Sequence, residues 1–110
     1  MELKIGICDD DAAQVVLTKT LTEQWAQEQG HHVTIKTYKN AEGLLFDFEG
    51  ENDFDILLLD IEMGNMDGVT IAKSIRKKSE TVQIVFITGY SDYISDWYDV
   101  EALHYLMKPL

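Results

Sequence analysis

The sequence predicts an α/β fold in which five parallel strands form one sheet with helices on both faces. Hydrophobic periodicity alternates along the chain between about two residues, typical of strands, and about 3.6 residues, typical of helices. Parallel strands need long crossover connections, and helices supply them. The strand-like run at 32–38 is the most amphipathic one, which suits a sheet edge and favours the doubly wound order 2-1-3-4-5.

The first strand and the first helix are joined by a run of acids. The strand covers about residues 3–8 and leads directly into Asp9, Asp10 and Asp11. Asp10 or Asp11 can cap the helix that follows, because a carboxylate accepts from its free N–H groups. Gly30 suits the end of that helix. Its apolar face is predicted from the spacing i, i+4, i+8 of Leu17, Leu21 and Trp25.

The next helix and strand are short. Asn40 follows the edge strand and can cap a helix that Gly50 ends. The apolar residues of this helix are Leu44, Leu45 and Phe48. An acidic loop then leads to an uninterrupted apolar run at 56–59, which predicts a buried strand that delivers Asp60 to its tip.

The second half of the chain continues the alternation. A turn-rich loop at 63–68 precedes a third helix, whose core-facing residues are predicted to be Val69, Ala72 and Ile75. The fourth strand is predicted at 82–87 and the fifth at 103–107, with a weaker helix at about 91–99 between them.

Composition limits the function classes. The 110 residues, 45% of them apolar, suffice for one domain over 1–110 with a single core. A net charge of −11 argues against nucleic acid binding by this domain, because a phosphate backbone requires a basic surface. We find neither a basic leader followed by an apolar stretch nor a run near the ~20 apolar residues of a membrane span, so we expect a cytoplasmic protein without membrane contact. Cys8 is expected to be a buried thiol.

Polar residues stand at four predicted strand ends. They are Asp9 to Asp11, Asp60, Thr88 and Lys108. In the order 2-1-3-4-5 the first and third strands are neighbours at the switch point, where such sheets bind ligands. Asp9, Asp10 and Asp60 should therefore meet in space. Crowded carboxylates repel one another unless a cation neutralises them, and Mg²⁺ suits a few carboxylates combined with water and phosphate oxygens.

The donors at the other two strand ends suggest phosphoryl transfer. Lys108 offers a positive charge and Thr88 a hydroxyl group, and both can bind phosphoryl oxygens. A carboxylate nucleophile with a metal on one side and donors on the other is typical of chemistry that proceeds through an acyl phosphate. Asp60 is the candidate nucleophile.

Together these residues resemble the receiver domain of a two-component response regulator, over almost the whole chain. The features that carry the resemblance are the pair Asp9-Asp10, Asp60 with the loop at 63–68, Thr88 with Gly89, and Lys108-Pro109. The resemblance implies a flavodoxin-like sheet. It also implies a phosphoacceptor switch, not an enzyme acting on an external substrate, in which a sensor histidine kinase phosphorylates Asp60.

The resemblance assigns a role to each site residue. The magnesium ligands it implies are Asp10, Asp60, the Glu62 backbone carbonyl and, through water, Asp9. Thr88 and Lys108 would hold the phosphate, and Tyr105 would be the aromatic switch residue that moves inward as Thr88 turns. The Lys108-Pro109 bond is expected to be cis, as an X-Pro bond at a functional turn can be.

The segments 87–93 and 98–109 resemble receivers joined to LytTR-type DNA-binding domains, the LytR/AgrA-like subfamily. This implies a transcription regulator whose C-terminal DNA-binding output domain is absent here. The last helix of the fold would follow Pro109, so we expect a C-terminally truncated receiver with that helix missing. An uncovered apolar face beside the first helix would favour self-association, and we expect a homodimer or a swapped assembly.

Two residues depart from the usual family pattern. Gly64 stands where the loop usually has proline, so the loop is expected to be more mobile. Tyr90 places a large ring near the expected path of an attacking water. We hypothesise that Tyr90 and Glu62 tune the dephosphorylation rate and make the acyl phosphate long-lived.

Three alternative functions share parts of this pattern. A haloacid-dehalogenase-type phosphatase has its nucleophile first and its acidic pair last, the reverse of the order here. A flavodoxin-like FMN binder needs a Gly/Ser/Thr phosphate cradle, whereas the loops after strands one and three are acidic. A phosphorylation-independent pseudo-receiver that acts as a protein-interaction module stays open.

Overall fold

The computed structural model describes residues 2–50, 54–61, 68–88 and 104–107, with backbone alone at 88 and 104–107. In chain order the elements of these ranges are β1 (Glu2–Cys8), α1 (Ala12–Glu28), β2 (His32–Tyr38), α2 (Ala41–Glu49), β3 (Ile56–Leu59), α3 (Gly68–Arg76), β4 (Gln83–Thr88) and β5 (His104–Met107). The helix predicted at 91–99 lies outside the described residues.

The strands form one sheet in the order β2-β1-β3-β4-β5, and every neighbouring pair is parallel. The predicted α/β class and strand order are confirmed. The boundaries of β4 differ from the prediction by one residue, since it begins at Gln83 and ends at Thr88. The edge strand β2 has exposed residues at three of its first five positions, as expected of a strand with solvent on one side.

Helix α1 begins where the sequence predicts. The Asp11 side chain accepts hydrogen bonds from the N–H groups of Ala13 and Gln14, so Asp11 is the N-cap. Gly30 follows the C-terminal end with φ +73°, a left-handed conformation that glycine adopts at little cost. Both ends of the helix are therefore set by local sequence.

The buried face of α1 differs from the prediction. The buried residues are the smaller Thr18 and Ala26, whereas Leu17, Leu21 and Trp25 are 38%, 39% and 42% exposed. The helix packs on β1 and β2, and small side chains along its contact line let it approach them closely. The large apolar side chains flank this line, so the i, i+4, i+8 stripe does not form the centre of the packed face.

Helices α2 and α3 cover the face of the sheet opposite to α1. Asn40 caps α2 by accepting from the Gly43 N–H, as predicted. Val69, Ala72 and Ile75 of α3 are buried, also as predicted. The helices pack against alternate residues of the inner strands, namely Cys8, Leu57, Leu59, Ile84 and Phe86. This core holds β1, β3 and β4 in the register that positions the residues following them.

None of the helices in the described ranges is both long enough and apolar enough to cross a membrane.

Candidate acidic site at the carboxyl edge of the sheet

The register of β1 and β3 places two acids side by side. Cys8 pairs with Leu59, so the next residue of each strand, Asp9 or Asp60, emerges at the same edge. The Asp60 N–H donates to the Cys8 carbonyl at 2.9 Å, which extends the contact one residue beyond the strand. On the other side, the Asp9 N–H donates to the Tyr38 carbonyl at 3.1 Å. The backbone at both acids is therefore held by the sheet.

The three consecutive acids after β1 have different roles. Asp9 is 5% exposed, and its Oδ1 accepts from the Asp11 N–H at 2.9 Å, which orients the carboxylate. Asp10 is exposed. The Asp11 carboxylate faces the first turn of α1, where it serves as the cap. Only Asp9 and Asp10 are thus directed to the site, which resolves the choice between Asp10 and Asp11 as the cap.

Asp9, Asp10 and Asp60 form a cluster in which one carboxylate oxygen from each lies within 4.8 Å of the others. Asp60 is 6% exposed, although it carries a carboxylate. Burial of two acids beside a third is unfavourable, because charges of the same sign repel and water is partly excluded. A divalent cation bound between these carboxylates would neutralise the repulsion.

Burial and the negative charge of the cluster both raise the pKa of the neighbouring Cys8 thiol. Cys8 is fully buried, and its Sγ donates to the Asn40 carbonyl at 3.5 Å. Burial is the main cause that raises the pKa of Cys8 from 9.0 to about 12, and the charges of Asp9, Asp60 and Asp10 raise it further. A thiol with this pKa stays protonated at neutral pH, and a protonated thiol is a poor nucleophile and a poor metal ligand.

The spacing of the carboxylate oxygens is close to the ligand spacing of Mg²⁺. Oxygens bound to an octahedral Mg²⁺ at about 2.1 Å are about 3 Å apart at adjacent positions and about 4.2 Å apart at opposite ones. The 4.8 Å limit on the separations of these carboxylate oxygens is slightly longer than the spacing of opposite ligands. A small side-chain movement or a bridging water would therefore let all three acids bind one ion. Carboxylate oxygens are also the donors that Mg²⁺ prefers.

The strands beyond β3 bring their ends to the same edge. Leu59 pairs with Phe86 of β4, and Thr88 pairs with Met107, the last residue of β5. The backbone thus places Thr88 at the carboxyl edge. The predicted site residues Glu62, Tyr90 and Lys108, and the bond to Pro109, lie outside the described residues. So do the side chains of Thr88 and Tyr105, and the roles assigned to all of these remain predictions.

The contact between the start of α3 and the segment that follows β3 was not predicted from the sequence. Gly68, the first residue of α3, is buried, and its N–H donates to the Ile61 carbonyl at 2.8 Å. The signal was present in the sequence as a glycine between a turn-rich loop and an apolar-periodic helix. Such a glycine is equally consistent with a simple turn, so only the fold shows which backbone it approaches.

Comparison with known proteins gives a consistent result. Residues 5–110 match the family model described as the response regulator receiver domain. Among curated proteins, the chain is 30% identical over 107 residues to the sensory transduction protein LytT of Bacillus subtilis, covering 97% of this chain and 42% of LytT. It is 31% identical over 94 residues to an uncharacterised response regulatory protein of Vibrio cholerae, covering 86% of this chain and 34% of that protein. The chain thus spans less than half the length of these relatives.

Solved structures agree over nearly the full chain. The response regulator protein TrrA of Thermotoga maritima, determined in complex with Mg(2+)-BeF, is 32% identical with a TM-score of 0.74, covering 98% of this chain and 88% of that one. A CheY-like receiver domain protein from Methanospirillum hungatei is 27% identical with a TM-score of 0.79, covering 100% and 84%. The similarity to LytT agrees with the LytTR-linked resemblance of the segments 87–93 and 98–109.

Proposed function

The chain belongs to the response regulator receiver domain family, and from that premise we propose that Asp60 is the residue that accepts the phosphoryl group. Receiver domains of two-component systems are in general phosphoacceptors, not enzymes. The observation that carries the assignment is the nearly buried Asp60 carboxylate within 4.8 Å of Asp9 and Asp10 at the carboxyl edge of the sheet.

In the proposed reaction an Asp60 carboxylate oxygen attacks the phosphorus of a phosphohistidine on a sensor histidine kinase. The new O–P bond forms as the P–N bond to the imidazole breaks, and the imidazole leaves with the electron pair. The backbone of Asp60 is fixed by its hydrogen bond to Cys8, so the nucleophile is positioned before the donor arrives. The negative charges of Asp9 and Asp10 favour the binding of a cation at the site. A bound cation would in turn attract the anionic phosphoryl group of the donor.

Asp10 and Asp60 would hold Mg²⁺ directly and Asp9 would hold it through water, with the Glu62 carbonyl as a further ligand. When bound, the ion would neutralise the carboxylates and the charge on the phosphoryl oxygens. Receivers bind Mg²⁺ at their acidic pocket, and TrrA was determined with Mg(2+)-BeF. Thr88 and Lys108 are proposed to bind the phosphoryl oxygens, with Tyr105 as the switch residue.

The partners follow from the same proposal. A sensor histidine kinase would phosphorylate the domain, and a C-terminal DNA-binding output domain would receive the signal in a full-length transcription regulator. The domain itself would not bind nucleic acid, given its net charge of −11. We further propose that it forms a homodimer through α1, where Leu17, Leu21 and Trp25 expose about two-fifths of their surface.

Intact-mass spectrometry after incubation with acetyl phosphate and Mg²⁺ tests the proposal. The wild type should gain the mass of one phosphate, and Asp60→Asn should gain none. Asp11→Asn is the matched control, because it removes the same charge from the neighbouring cap while asparagine keeps the capping oxygen. No mass gain in the wild type would favour a pseudo-receiver, and a gain in Asp60→Asn would place the acceptor elsewhere.

A further inference from the structure

The first residue of α3 lies directly against the backbone of Asp60. A Cβ atom at Gly68 would lie 2.3 Å from the Asp60 carbonyl oxygen, 3.0 Å from its carbonyl carbon and 3.0 Å from the Ile61 Cα. All three neighbours are backbone atoms, so none can rotate away. The Gly68 N–H donates to the Ile61 carbonyl at 2.8 Å, which ties α3 to the same short segment.

This contact completes the support of the acceptor residue. On one side the Asp60 N–H donates to the Cys8 carbonyl of β1 at 2.9 Å. On the other side the Asp60 carbonyl faces the α carbon of Gly68. Separations below 3.0 Å essentially never occur for a real Cβ, so any side chain at Gly68 would force the two backbones apart by at least about 0.7 Å.

We propose that Gly68 is a positioning residue of the phosphoacceptor site. Its lack of a side chain lets α3 begin against the Asp60 carbonyl, and this holds the Asp60 carboxylate at its distance from Asp9 and Asp10. Gly68 touches neither substrate nor ion, and acts through Asp60. The inference rests on the proposed function, since it assumes that Asp60 is the acceptor.

Gly6 of β1 provides a matched comparison. A Cβ atom there would also be too close to its neighbours, at 2.8 Å from Leu57 Cδ2 and 3.1 Å from the Phe54 ring. These neighbours are side chains in the core, away from the acid cluster. Gly6→Ala should therefore overpack the core and lower stability while the spacing of Asp60, Asp9 and Asp10 stays the same.

The experiment compares Gly68→Ala with Gly6→Ala at a temperature where circular dichroism shows both to be folded. Two quantities are measured: the Kd for Mg²⁺ by calorimetry without phosphoryl donor, and the rate of phosphorylation by acetyl phosphate from intact mass. Gly68→Ala should slow phosphorylation by about 10- to 100-fold, since displacements near 1 Å have such effects, and should weaken Mg²⁺ binding. Gly6→Ala should lower the urea midpoint but leave the rate and the Kd near wild type.

A folded Gly68→Ala with the wild-type rate and Kd would overturn the inference, as would equal losses in the two variants. A wild type that neither binds Mg²⁺ nor gains phosphate would instead overturn the proposed function, and the inference with it. If Gly68→Ala does not fold, the wild type provides the test by NMR. Its Gly68 amide should shift together with the Asp60 amide on addition of Mg²⁺, while Gly6 stays constant, and an unmoved Gly68 would overturn the inference.

Discussion

Substitution of Asp10 by asparagine should stabilise the protein without Mg²⁺ and should destabilise it, relative to wild type, with Mg²⁺. Asp10 is the exposed member of the acid cluster, and its carboxylate lies within 4.8 Å of oxygens of Asp9 and Asp60. Asparagine keeps the shape and removes the charge. Without a cation the substitution therefore relieves two repulsions, and with a cation it removes a ligand.

The distance between the carboxylates determines how much Asp10→Asn should change the free energy of unfolding. The carboxylate oxygens of the cluster lie within 4.8 Å of one another, and two like charges at that limit repel by about 0.9 kcal/mol in bulk water and by about 3.5 kcal/mol at an effective dielectric constant near 20. Because Asp10 is exposed, the lower figure applies, so Asp10→Asn should raise the free energy of unfolding by about 1 to 2 kcal/mol at low salt. Mg²⁺ at 100 times its Kd should stabilise the wild type by about 2.7 kcal/mol, enough to reverse the ranking.

Urea unfolding in EDTA and in Mg²⁺, at low ionic strength, measures both free energies. The wild type should be the less stable protein in EDTA and the more stable one in Mg²⁺. Asp11→Asn changes the net charge equally but lies outside the cluster, so its difference from wild type should be the same in both buffers. Parallel behaviour of Asp10→Asn and Asp11→Asn would refute the reasoning that the cluster is a cation site.

Three further predictions concern the core, the buried thiol and self-association. Leu44→Ala should lower the free energy of unfolding by about 2 to 5 kcal/mol, because Leu44 is 0% exposed. Phe46 lies on the same helix but is 78% exposed, so Phe46→Ser should change that free energy by less than about 0.5 kcal/mol. Similar losses for the two variants in urea unfolding would contradict the packing of α2. Because the folded-state pKa of Cys8 is raised from 9.0 to about 12, its contribution to stability is present below pH 9 and is lost as the pH rises toward 12. The unfolding free energy of Cys8→Ala should therefore fall less steeply over that interval, and an identical slope would count against the buried neutral thiol. Sedimentation should show a dimer that Leu21→Asp returns to monomer, and a strictly monomeric wild type at high concentration would exclude the proposed α1 interface.

Much of the architecture follows from local signals. The Asp11 and Asn40 caps, the glycine at the end of α1 and the apolar run of β3 each involve neighbouring residues, so their chemistry is visible in the sequence. The amphipathic edge strand β2 indicates the strand order, and that order alone places Asp9 beside Asp60.

The features that the sequence did not predict depend on contacts between distant segments. The packed line of α1 uses Thr18 and Ala26 because small side chains permit close approach to the sheet, whereas hydrophobic spacing identifies the larger flanking residues. Likewise, the role of Gly68 depends on the Asp60 backbone, and the high pKa of Cys8 depends on burial and on acids from two strands.

Chemical mapping of the phosphate tests the central claim most directly. Borohydride reduces an acyl phosphate on aspartate to homoserine, and peptide sequencing by mass spectrometry then locates the modified position. After treatment with acetyl phosphate and Mg²⁺, homoserine should be found at position 60, and omission of Mg²⁺ should abolish it. Homoserine at position 9 or 10, or at no position in a protein that binds Mg²⁺, would contradict the assignment of Asp60 as the phosphoacceptor.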